Sequence, residues 1–176
     1  AYAATGTLAE ADAARTAVAR IKDDPALQSV FVSSVNKASA IVAIAHEVLS
    51  GTIETKRRRV APAMRHFAQA ASLEDELIYM EPPDWPVPVR RLQGVALLEM
   101  GRAKEAEAAF RGDLRKFPDN GWWRSGLEAS LAKQGKRAEA NAVKARFMEQ
   151  WKRSDIQMAG GRPLGKAVAT VAAAAR

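Results

Sequence analysis

Apolar positions recur along this chain at intervals of three and four residues in several separate stretches, the spacing of one-sided α-helices. VRRLQGVALLEM at 89–100 and WWRSGLEASLAKQ at 122–134 both follow it, and each stops just before a glycine, Gly101 and Gly135. The pattern then restarts: GRAKEAEAAF begins at Gly101, and GKRAEANAVK begins at Gly135, thirty-four residues later. Between the two units FPDNG at 117–121 supplies a proline and turn formers that end one helix and open the next. Each unit reads as a helical hairpin.

Upstream, Ala63, Phe67 and Ala70 keep the alanine and aromatic spacing of such a second helix, and Gly51 takes the place of a small residue in the helix before it. The turn glycine of this unit has been absorbed into the run Lys56-Arg57-Arg58-Arg59, and Pro62 falls near the start of the next helix, where proline is tolerated. Further back, Gly6, Glu10 and Ala11 repeat the phrase with only residues 1–5 left of a first helix, so the chain reads as beginning partway through a repeat. ASAIVAIAHEVL at 38–49 is apolar on nearly every side, which predicts burial all round or one face turned to a cavity. EPPDWPVP at 81–88 is expected to be non-helical, because proline removes a donor and pushes the preceding residue extended. Residues 159–176 open with Gly and Pro and end Ala-rich, a flexible tail or a short docking helix formed only where it packs.

A period of thirty-four with this layout resembles the tetratricopeptide repeat (TPR) family. In the first full unit Gly94, Leu97, Ala106, Phe110 and Pro118 stand where the family places its small, large, Ala, aromatic and closing Pro residues; in the second, Leu127, Leu131, Gly135, Ala140 and Phe147 keep the apolar pattern. Arg90, Arg124, Gln93 and Lys144 depart from it, so the last unit looks like a polar cap. LEDEL, EPPDW, PDNGW and RFMEQWKRSDI, in that order, extend the likeness over about residues 1–156 to the C-terminal part of bacterial TPR proteins of mostly unassigned role. The implied fold is all-α, antiparallel hairpins stacked as a short TPR-like solenoid over 1–158. Its units would be roughly 1–25, 35–80, 87–120 and 121–153, with 159–176 as a tail.

With 48% hydrophobic and 27% charged residues the chain has the composition of a folded protein, and its many alanines favour helix. A net charge of +7 raises the question of an anionic partner. The densest basic run, Lys56, Arg57, Arg58 and Arg59, reads first as a solvated helix end and second as a weak contact to an anionic membrane surface; nucleic acid is not expected. No apolar stretch is long enough to span a bilayer. A cytoplasmic and a periplasmic setting both remain open, and any targeting segment has been removed or never existed.

Little here points to catalysis. The chain has no cysteine, and its two histidines, His46 and His66, lie on different helices without metal-ligand spacing. Glu74, Asp75 and Glu76 point in different directions at a helix end, and AGGRPLG reads as a linker because no strand precedes it and no Lys-Ser/Thr follows. No enzyme activity, metal or cofactor is expected.

Binding remains. The resemblance implies that first helices line a concave groove, placing Arg91, Val95 and Leu98 there with Ser125 and Ala129 one period later and Trp122 at the mouth of the hairpin. The leading expectation is a scaffold that recognises a protein or peptide partner in that groove, although Val95 and Leu98 would serve equally as core. The alternative is a carrier of an apolar small molecule, lipid-like or sterol-like, between the helices. Ile41, Ala45, Tyr79, Met80, Trp85 and Trp123 would line its pocket, unless the aromatics are wedges between repeats.

Overall fold

The computed structural model describes residues 7–32, 34–116, 118–154, 156 and 158–163. They form an all-α protein of seven helices with two very short β-hairpins, and divide into two compact units, Ala1–Ala96 and Leu97–Arg176.

In the first unit α1 (Leu8–Lys22) starts at a reciprocal cap. Thr7 Oγ1 accepts from Glu10 N at 3.2 Å while Glu10 Oε2 accepts from Thr7 N at 2.8 Å. A short 3-10 turn, Pro25–Ser29, leads into β1 (Phe31–Val32) and β2 (Asn36–Lys37), an antiparallel pair in which Val32 faces Asn36. No apolar spacing in the sequence predicts this hairpin. Asn36 is buried and fastens it to the loop after α3: its side chain accepts from Ile78 N at 2.9 Å and donates to Ile78 O and Asp84 Oδ2, both at 2.8 Å.

Helix α2 (Ala38–Lys56) packs against both α1 and α3 (Val60–Asp75). The expectation of all-round burial for 38–49 is not met. Only Ile44 in that stretch is fully buried, and the buried residues concentrate in the last two turns, Ser50, Gly51, Ile53, Glu54 and Thr55. The physical reason is Gly51. A Cβ there would stand 3.0 Å from the Phe67 ring, so the bare backbone lets α3 settle on the C-terminal half of α2, where the core forms. Residues 76–88 carry no helix, as the prolines require. The acidic end of α3 holds the start of α4 (Val89–Glu99): Glu74 Oε2 accepts from Val89 N at 2.9 Å, and both Asp75 oxygens accept from the Arg90 guanidinium.

The second unit contains the end of α4, then α5 (Ala103–Lys116), α6 (Gly121–Lys133) and α7 (Arg137–Trp151), with α6 packed against both α5 and α7. The sequence period is present in the backbone. Helices α4 and α6 end at Glu99 and Lys133, α5 and α7 begin at Ala103 and Arg137, and Gly101 and Gly135 between them take φ of +79° and +75°. In both turns a helix C-terminus is closed in the same way. Arg102 N bonds back to Leu97 O and Gly101 N to Leu98 O; Lys136 N bonds to Leu131 O and Gly135 N to Ala132 O. The turn from α2 to α3 repeats it, with Arg59 N on Glu54 O, Arg58 N on Thr55 O, and Arg58 itself at φ +62°. An arginine inside the basic run thus holds the glycine conformation.

Four residues beyond each turn an alanine is buried, Ala63, Ala106 and Ala140, and its N–H bonds to the carbonyl of Arg59, Arg102 or Lys136. Ala11, bonded to Thr7 O, takes the same place in α1. In the second unit's core Phe110 is fully buried against Gly126, where a Cβ would lie only 2.3–2.7 Å from three ring carbons.

These contacts separate two kinds of glycine. At Gly126 an alanine methyl has nowhere to go and Phe110 cannot yield, so Gly126→Ala is expected to cost about 1–3 kcal/mol. At Gly135 nothing lies within 4 Å and only the backbone conformation resists, so Gly135→Ala is expected to cost about 1 kcal/mol. Urea unfolding of both variants checks the order; a larger loss at Gly135 contradicts it.

Candidate functional site

The residues expected to line a groove meet different fates. Arg91 and Val95 lie on α4 in the first unit, Arg91 half-buried and Val95 buried, so Val95 is core. In the second unit Leu98, Ser125 and Ala129 are brought together, but they do not form an open groove. A segment of the same chain lies on them. Residues 158–163 form a β-hairpin, β3 (Met158–Ala159) with β4 (Arg162–Pro163), and both strands pack against α6.

The hairpin's local cause is its two-residue loop, Gly160-Gly161. Both residues take positive φ, +57° and +77°, the conformation that joins tightly twisted strands and that glycine adopts without strain. The loop rests on the helix face: a Cβ on Gly160 would stand 3.9 Å from both Ala129 Cβ and Leu98 Cδ1. Gly161 N donates to Ser125 Oγ at 3.3 Å, and Arg162 Nη1 pairs with Glu99 Oε1 at 2.5 Å. Ser125 is left 3% exposed and Leu98 6%. The linker expected at AGGRPLG is therefore an ordered turn docked on helices as far as Pro163. Residues 164–176, with the expected docking helix, lie outside the described residues.

Trp122 is half-buried at the start of α6. Its ring meets Trp151 edge-on at 5.8 Å, and Trp151 stacks on Phe147 at 5.5 Å. Gly121 leaves room for this, since a Cβ there would enter the Trp151 ring, and Trp151 Nε1 donates to Ile156 O at 2.6 Å. The aromatics close the end of α7 and lead the chain toward the hairpin.

The residues expected for an apolar carrier fall in both units. Tyr79, Met80 and Trp85 line a cavity of about 160 Å³ in the loop after α3, whereas Ile41 and Ala45 lie on α2 outside its lining and Trp123 is buried in the second unit. That volume is below the roughly 300 Å³ at which small-molecule sites begin.

The basic run is a helix end woven into the first unit. Arg57 donates to Glu54 Oε1 at 2.8 Å and to Asp12 Oδ2 at 2.5 Å, tying the end of α2 to α1, and Arg59 lies 3.6 Å from Glu54. The hydrogen bond that Arg57 donates to Glu54 raises its pKa above the ordinary value. Both histidines converge on one carboxylate: His66 Nδ1 is 2.7 Å from Glu47 Oε2 and His46 Nδ1 3.1 Å from Glu47 Oε1. Burial pushes Glu47 up, but His66 and His46 outweigh it and hold the carboxyl below its ordinary value. Among the described residues no group of three or more His, Asp or Glu side chains is arranged to hold a metal ion, and no helix is long and apolar enough to cross a membrane.

Glu107 on α5 has the strongest electrostatic environment. It receives Lys136 Nζ at 2.7 Å, Gln134 Nε2 at 2.8 Å and Arg111 Nε at 2.8 Å, while Arg111 reaches on to Glu139. Lys136 foremost, then Arg111 and Gln134, overcome burial and lower the Glu107 pKa to about 2. The carboxylate fastens α5 to the turn between α6 and α7, beneath the helix that carries the hairpin.

The chain matches no family model, no curated protein and no solved structure.

The lowered pKa of Glu107 fixes a pH dependence. A carboxyl that titrates at about 2 when folded and about 4.5 when unfolded contributes stability that is complete above 4.5 and is lost as pH falls toward 2. Lys136 and Arg111 are partly exposed, so solvent screening reduces the effect to about 1–2 kcal/mol. Glu107→Gln should lose that amount at pH 7 and flatten the acid limb of a stability-against-pH curve measured in urea. An unchanged acid limb removes Glu107 from this role.

Proposed function

We propose that this chain is a non-enzymatic scaffold of the tetratricopeptide type, whose α4 and α6 face recognises a hairpin-forming segment of a protein partner. One observation carries the reading: the face already holds a short β-hairpin, residues 158–163 of the chain itself. The contacts are of the kind a peptide site needs. Leu98 and Ala129 give an apolar seat for a close-lying backbone, Ser125 Oγ takes a backbone N–H, and Glu99 takes a guanidinium. A partner segment would present small residues at its bend and a basic side chain beside it. The three repeated turns and their buried alanines support the repeat type.

A tethered occupant competes at high effective concentration, so the intact chain should bind a free segment weakly. Gly161→Pro cannot hold φ +77° or donate to Ser125, and it should release the face. A fluorescently labelled peptide of residues 157–165 should then bind the Gly161→Pro protein about tenfold or more tightly than the wild type in an anisotropy titration. Adding Ala129→Glu should abolish that binding. Equal affinity for all three proteins defeats the proposal.

A further inference from the structure

Three arginines from three different helices surround a second cavity in the Leu97–Arg176 unit. It measures about 380 Å³, within the roughly 300–1,000 Å³ of small-molecule sites, and its cationic wall is formed by Arg111 of α5, Arg124 of α6 and Arg146 of α7. Leu114, Leu127 and Val143 supply an apolar floor. The lining has one carboxylate, Glu139, and it is already engaged with Arg111.

The arginines differ in how far the chain satisfies them. Arg111 is held by Glu107 and Glu139. Arg124 is only 14% exposed; Nη2 donates to Pro118 O at 2.5 Å, Asp119 lies 3.5 Å away, and Nε is buried without a hydrogen-bond partner. A buried guanidinium with an unmet donor is costly unless an acceptor completes it. Arg146 has no hydrogen bond or ion pair among the described residues. Two shallower hollows prolong the cavity, one past Arg115 and one past Arg146 toward Gln150. In the sequence Arg124 stands out only as a departure from an expected apolar position, and the peptide face uses neither it nor Arg146.

We propose that this cavity binds a small amphipathic anion, its carboxylate or phosphate head between Arg124 and Arg146 and its apolar body over Leu114, Leu127 and Val143. Guanidinium groups suit such a head because they present paired donors to a planar or tetrahedral oxyanion. The apolar floor sets the body, and the excess of arginine over carboxylate in the lining sets the sign of the charge. The site stands independently of the peptide face.

Calorimetric titration of the full chain with decanoate, decanol and inorganic phosphate tests it. Decanoate should bind one to one, more weakly as salt is raised, and clearly tighter than either other probe. Arg146→Ser should reduce decanoate affinity about tenfold or more while shifting the unliganded unfolding midpoint little, since Arg146 is exposed and makes no hydrogen bond or ion pair among the described residues. Val143→Glu, which places a carboxylate beside the floor, should abolish binding. No decanoate binding, equal binding of decanol or of phosphate, or undiminished affinity in Arg146→Ser each overturns the proposal.

Discussion

One residue held at positive φ, with two backbone N–H groups turned back onto the helix it ends, reverses this chain three times. Gly101, Gly135 and Arg58 do the same geometric work, and each constrains the helix that comes after it. Once the chain has reversed within so few residues, the second helix starts beside the first, and the position one turn in is buried. Ala63, Ala106 and Ala140 occupy it. The larger side chains then find room further along, Phe67 over Gly51 and Phe110 over Gly126, so turn, alanine and ring over glycine form one chain of steric consequence.

Electrostatics reinforces that order. Glu107 gathers Lys136, Gln134 and Arg111 across the turn that Gly135 makes, and Glu54 and Arg57 do a comparable service at the turn made by Arg58. A buried acid beside each of these reversals accepts donors that the turn brings to it. These carboxylates engage part of the chain's excess of basic residues inside the fold.

The helical hairpins are legible in the sequence because they are written in local terms: apolar spacing, a glycine after the stripe, alanine at a fixed offset. Even the displaced turn in the basic run can be inferred from its position. The two β-hairpins are not legible as such. Gly160-Gly161 is a strong hairpin signal, yet Met158, Ala159, Arg162 and Pro163 show no alternation, and proline argues against a strand. What holds the segment is contact with Ser125, Leu98 and Glu99, far away in sequence. The same holds for Asn36, whose three hydrogen bonds reach residues 78 and 84, and for the cavity arginines, which three separate helices bring together. The N-terminal part of α2 is half-exposed against expectation because its uniform apolarity carries no direction, whereas Gly51 decides where α3 settles.

The run Lys56-Arg57-Arg58-Arg59 offers four consecutive cleavage points to any protease that cuts after basic residues. Such enzymes need a substrate strand drawn out straight over several residues. Here the amides of Arg57, Arg58 and Arg59 are bonded to Ile53, Thr55 and Glu54, and the chain bends sharply at Arg58. Cutting therefore requires the last turn of α2 to unwind first, and the chain's most basic stretch becomes a gauge of how often that helix end opens.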